Sequence, residues 1–213
     1  MEYLDLMQYE YRKFPIPMHS IGWLGSKFGL QGSEERDLTV RDVRRLRDAS
    51  WRLGSVTLGV HECDFCPPGS RFEGNGEYRY YCRSGKVYAA PMMILHYVER
   101  HNYHPPVEFL KGMDEIGQLE WDWRAERLLE VLLDASEDID FRCEAVIDLV
   151  NWKDPRVLNA LMRSVEDEEL VDIAGDEIGR SLGAFMSCGL VGNLSEGPLP
   201  EIVKFGIDQT FSQ

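Results

Sequence analysis

Apolar positions divide the chain into a first part of short runs and a second part with helical period. Tyr9-Glu10-Tyr11-Arg12 alternates aromatic and polar, as a strand does, while Pro15 and Pro17 exclude a helix interior or central strand. Ile21-Gly22-Trp23-Leu24-Gly25 is an apolar patch bounded by glycines. Thr39, with Asp42 three residues on, predicts a helix N-terminus. Val40, Val43, Leu46 and Trp51 then form its apolar stripe, and Arg41, Arg44, Arg45 and Arg47 a basic face that is ordinarily just solvated. Val56 to His61 reads as a buried strand. Glu77–Cys82 and Lys86–Ala89 flank Arg83-Ser84-Gly85, which predicts a hairpin with Gly85 at positive φ. Met92–Arg100 is expected to be a helix with Met93, Leu95 and Tyr97 or Val98 inward. Val107–Met113 is expected to be a further short one.

Past Gly112 the strand-like runs stop. Helical periodicity covers Arg124–Leu133, Phe141–Val150, Pro155–Val165 and Leu170–Phe185. Asp154 as cap and Pro155 at the first helical position account for the turn between two of them. The expected fold is an α+β N-terminal domain over residues 1–113, followed by an all-α, HEAT-like helical-repeat domain over 114–213. About two repeats are visible, too few to bury their own outer faces. A plain helical bundle is the simpler alternative.

Composition is that of an ordinary globular protein, but charge is unevenly placed. Residues 114–213 hold 23 acidic and 8 basic side chains, a net −15, against +1 for the first 113. Phosphates would be repelled by the second half, which argues against nucleic acid as its direct ligand. A basic protein partner would be attracted, and encounter would be faster at low salt. Solubility alone is the plainer explanation. No apolar run reaches the ~20 residues of a membrane span. The acidic N-terminus lacks the order of a signal peptide, so a cytoplasmic location is expected.

The chemistry is concentrated between His61 and Phe109. Four of five histidines and three of five cysteines fall there. His61-x-Cys63-x-x-Cys66 is a metal-knuckle pattern, and thiolates with imidazole suit zinc. His61 and Cys63 would share one face of a strand. The expected ligands are His61, Cys63, Cys66 and His96. His101 is next in line, because five residues separate it from His96 and a helix would not present both on one face. The alternative is that the cysteines are small buried hydrophobes and the histidines bond internally. Glu77 beside His61 or His96 would be a general base if a metal were catalytic. A Cys–His nucleophile pair is the other enzymatic arrangement these residue types allow. No hydrolase elbow, nucleotide loop or metalloprotease pattern is present.

Ile21-Gly22-Trp23-Leu24, His61-x-Cys63-x-x-Cys66, Gly74-Asn75-Gly76-Glu77, Tyr88-x-Ala90-Pro91 and His96-Tyr97-Val98-x-x-His101-x-Tyr103-x-Pro105-Pro106-x-x-Phe109 together resemble a family of uncharacterised bacterial domains. The resemblance covers the first half and implies no activity. The second half resembles HEAT repeats. By analogy of class, small acidic proteins with helical repeats are often toxin-neutralising immunity proteins. The expected function is therefore binding of a basic toxin, such as a nuclease, through an acidic surface. That surface comprises Asp134, Glu137, Asp138, Asp140, Glu166, Asp167, Glu168, Glu169, Asp172, Asp176 and Glu177. A metal-dependent enzyme and a structural zinc module of a larger assembly are the alternatives.

Overall fold

A computed structural model describes every residue except 1, 31, 33–35, 68, 71, 115, 117, 118, 193, 195–197 and 213, with only the backbone of Thr57 and Leu58 described. The chain forms two compact units. One comprises residues 1–13 and 17–117; the other comprises 118–213 together with Phe14–Ile16.

The first unit is built on a five-stranded mixed sheet. Its strands are β1 (Gln8–Tyr9), β2 (Met18–Ser20), β3 (Ser55–Glu62), β4 (Glu73–Tyr81) and β5 (Val87–Pro91), in the order β1-β2-β5-β4-β3. Only β2–β5 is parallel; the other neighbours are antiparallel. The β4–β5 hairpin closes through Gly85 at φ 90°, where the absent Cβ makes the left-handed conformation inexpensive. Three helices belong to this unit: α1 (Val40–Ala49), α2 (Ile94–Arg100) and α3 (Val107–Asp114). α1 opens with a full capping box between Thr39 and Asp42. Tyr80 and Tyr88 meet Phe109 of α3 edge-on, with centroids 5.3 and 5.2 Å apart. Burying aromatics of this size contributes roughly 1.5–3 kcal/mol per side chain. α3 comes close to the hairpin at Gly112, where a Cβ would lie 2.9 Å from the Cys82 sulfur.

Several elements depart from the pattern-based expectation. β1 is two residues, not a run through Arg12. Val40 and Trp51 are exposed, because one opens the helix and the other lies beyond its end; Leu46 carries the buried contact. β3 is not buried. It forms the sheet's edge, and Val56 and Val60 are 64% and 55% exposed. β5 runs to Pro91, and α2 begins at Ile94 rather than at Met92.

The second unit is helical: α4 (Trp123–Leu133), α5 (Ile139–Asp148) running into a 3-10 turn at Leu149–Asn151, α6 (Pro155–Ser164), α7 (Glu168–Ser187) and α8 (Glu201–Phe211). Asp122, Asp138, Asp154 and Asp167 cap α4, α5, α6 and α7 in turn, each accepting a backbone N–H of the first turn. Arg124, fully buried, is held by Asp122 and lies over the Trp152 ring at 5.5 Å. Arg142 of α5 is nearly as buried. It donates to the Leu132 carbonyl at the end of α4 and to Asp167 at the start of α7. α7 bends at Ala174, whose φ of −132° is not helical. Its Gly175, Gly179 and Gly183 face α8. A Cβ on Gly179 would lie 2.1 Å from the Val203 carbonyl oxygen, and one on Gly206 2.0 Å from that of Asp176.

Candidate metal centre

Two short stretches of the first unit bring four donors together. β3 stops at Glu62, and the chain turns through Asp64-Phe65, so Cys63 and Cys66 project from a knuckle rather than a strand. The knuckle is tied by the Cys63 N–H to the Phe72 carbonyl at 2.8 Å. The amides of Phe65 and Cys66 donate to the Cys63 sulfur, which partly offsets the upward push of burial on its thiol. The second stretch is the end of α2. Arg100 is its last helical residue, and His101 caps it with ψ of 10°. Asn102 follows at φ 53°, the left-handed conformation that stops a helix.

That stop decides the ligand set. In a continued helix His101 would point away from His96; released at the cap, its ring returns. The two Nε2 atoms are 3.0 Å apart. The Cys63 sulfur is 3.3 Å from His101 Nε2, and the Cys66 sulfur is 3.2 and 3.4 Å from His96 and His101 Nε2. All four donor atoms lie within 4.8 Å of one another, and this group could hold a metal ion. Cys63 and His96 are buried; Cys66 and His101 are partly so. Phe72 stacks flat on His96 at 3.7 Å, and Phe65 packs against His101. Burial, then the charges of His101 and Arg100, lowers the His96 pKa.

Of the four residues expected as ligands, Cys63, Cys66 and His96 converge; His61 does not join them. It pairs with Gly74 in the β3–β4 ladder and is exposed, lining a neighbouring cavity. The shared-face argument for His61 and Cys63 needs both in a strand, and the strand ends between them. His101 takes the fourth place. The sequence signal for it was the His101-Asn102 pair followed three residues later by Pro105, which marks a helix end.

Glu77 is engaged elsewhere. Buried in β4, it accepts from Tyr9 Oη at 2.6 Å and from the Arg79 guanidinium at 2.7 and 2.9 Å. Burial and the facing carboxylate hold the Tyr9 phenol well above its ordinary pKa.

The eleven acidic residues expected to meet a partner divide into two sorts. Asp138 and Asp167 cap helices, Asp134 holds the turn at Ser136, and Glu137, Asp167, Asp176 and Glu177 pair with Arg127, Arg142 and Arg180. Glu166, Glu168, Glu169 and Asp172 are exposed around the start of α7, as is Asp140 on α5.

The family model for a domain of unknown function, DUF7919, matches residues 1–114. The chain belongs to the DUF7919 family. The match contains all four converging donors and ends with α3. No curated protein and no solved structure matches the chain. Among the described residues, no helix is long and apolar enough to cross a membrane.

Proposed function

We propose that this DUF7919 protein is a binding protein rather than a catalyst, with a structural zinc ion in its first unit and an acidic capture surface on its second. The convergence of Cys63, Cys66, His96 and His101 carries the first part. Zinc bond lengths of about 2.3 Å to sulfur and 2.0–2.1 Å to nitrogen put neighbouring tetrahedral donors roughly 3.3–3.8 Å apart. Four of the donor separations, 3.0–3.4 Å, need only slight expansion to reach that range, while the widest, up to 4.8 Å, must contract by about 1 Å. Two thiolates with two imidazoles favour zinc over harder ions. Four protein donors complete the tetrahedron and leave no position for substrate, which supports a structural ion over a catalytic one.

The second part is an immunity-type role, in which helices α4–α7, read as a short HEAT-like array, capture a basic protein such as a toxin nuclease. It is supported by the −15 charge of residues 114–213 and by Glu166, Glu168, Glu169 and Asp172, exposed carboxylates with no capping duty. The test is capture of partners by the full chain, followed by their identification and a titration with salt. A basic partner whose affinity falls with ionic strength is expected. Salt-insensitive partners of neutral or acidic charge would remove the reading. Elemental analysis of purified protein tests the zinc separately, with one ion per chain expected.

A further inference from the structure

We infer that the DUF7919 domain holds a second site, a cavity that binds an organic cation carrying an alkylammonium head. The cavity lies in the first unit and measures about 380 Å³. That is within the ~300–1,000 Å³ typical of small-molecule sites. It is lined by Tyr3, Tyr11 and Trp23, by Glu2, Glu62 and Asp64, and by His61; among the described residues neither lysine nor arginine lines it.

The aromatic panel is assembled in advance. The Trp23 indole donates to the Ala89 carbonyl at 3.0 Å and stacks on Tyr9 at 5.3 Å, while Tyr3 meets Tyr9 edge-on at 5.2 Å. Two of the carboxylates are also fixed. Glu2 accepts the N–H groups of Lys27 and Phe28, and Asp64 accepts that of Ser26. Gly25 permits this approach, since a Cβ there would lie 2.7 Å from a Glu2 oxygen. Glu62 is exposed at the same cavity.

The lining selects by charge. An anion would meet three carboxylates. A neutral apolar ligand would have to desolvate those carboxylates without compensation. A cation is attracted by the carboxylates and by aromatic rings, and an alkylammonium adds apolar groups that match the lining rings and the Met92 and Met93 side chains. The inference is independent of the metal reading, because none of the carboxylates or rings named is a metal donor.

The test follows the Trp23 indole N–H by NMR in the full chain as purified, with the signal assigned by Trp23→Phe. Choline is the first probe. Its carbon isostere, in which the quaternary nitrogen is replaced, is the neutral control. N-acetyl-lysine methylamide stands for a protein side chain. Choline or the lysine amide should shift the signal saturably, and the isostere should bind at least about tenfold more weakly than choline. The tighter of the two cations identifies the source, a free quaternary ammonium or a protein side chain. Tyr11→Ala and Glu62→Gln, both at exposed positions, should each weaken binding by roughly three- to tenfold. Equal affinity for the isostere, no saturable shift with either cation, or unchanged affinity in both variants would overturn the inference.

Discussion

At the scale of single residues, the two histidines that compete for the fourth metal position make different predictions. His101→Ala removes a donor whose Nε2 lies 3.3 and 3.4 Å from the two cysteine sulfurs. It should lower zinc content severalfold by elemental analysis and destabilise the first unit, because binding energy at such a site is folding energy. His61→Ala, at an exposed edge position, should leave zinc content unchanged and alter stability by no more than about 0.5 kcal/mol. Cys-x-x-Cys and a mid-helix histidine were legible in the sequence because ligand spacing is local chemistry. The choice of His101 over His61 was not, since it depends on where one strand and one helix stop, to within a residue.

Elements were readable where periodicity was long. The helices of the second half show a 3.6-residue pattern, and four of them begin at an aspartate that the structure uses as a cap. α8 was not anticipated: it is 11 residues long, contains Gly206, and exposes Ile202 and Phe205 on the face that a pattern would expect to be polar. Its place is determined instead by contact with α7. Gly179→Ala would drive a Cβ to 2.1 Å from the Val203 carbonyl oxygen, a backbone atom that cannot rotate aside. The expected cost is about 3 kcal/mol in denaturant unfolding, at the upper end for overpacking. Gly192→Ala, with nothing within 4 Å, should fall within about 0.5 kcal/mol of the parent.

Asp167 provides a second test at this scale. The Arg142 guanidinium and the Leu170 N–H hold its carboxyl below the ordinary carboxylate range. A lowered folded pKa gives stability that is present above the unfolded value of about 3.9 and is lost as pH falls through the folded one. Asp167→Asn keeps a capping oxygen but removes the charge. It should cost on the order of 1–2 kcal/mol at neutral pH, since the carboxylate is half-buried and the Arg142 guanidinium it meets is buried. That difference should shrink as the urea midpoint is measured at progressively lower pH below about 4.

For the whole molecule, the charge asymmetry was fully legible, because it needs only counting. Which carboxylates are available to a partner was not, because caps and ion pairs are properties of the folded chain. Glu166, Glu168, Glu169 and Asp172 are the informative set. Reversing Asp167 with them would break a cap and its bond to Arg142, confounding binding with folding. Changing those four to Lys should slow association with a basic partner in stopped-flow measurements, more at low salt than at high. Steering is screened over a Debye length of ~10 Å at 0.1 M. The melting temperature should hardly move, and zinc content should be unchanged. An association rate insensitive to the four reversals at low salt would reduce the acidic run to a solvated surface.

Edge strand β3 joins these scales in one further way. It is the outermost strand of the sheet, with Val56 and Val60 in water, and its last residue directly precedes Cys63. An edge strand that keeps apolar side chains in water can template strand addition by another chain. A metal clasping Cys63 and Cys66 to the end of α2 would anchor that edge from one end, and its loss would let the strand slip in register or peel away. Chelation should therefore do more than soften the first unit. It should convert the protein into a self-associating species with intermolecular β-structure, detectable as light scattering and a shifted amide I band. Restoring zinc before association begins should prevent it. Cellular zinc supply would then govern how long the protein remains monodisperse, making metal scarcity an aggregation trigger.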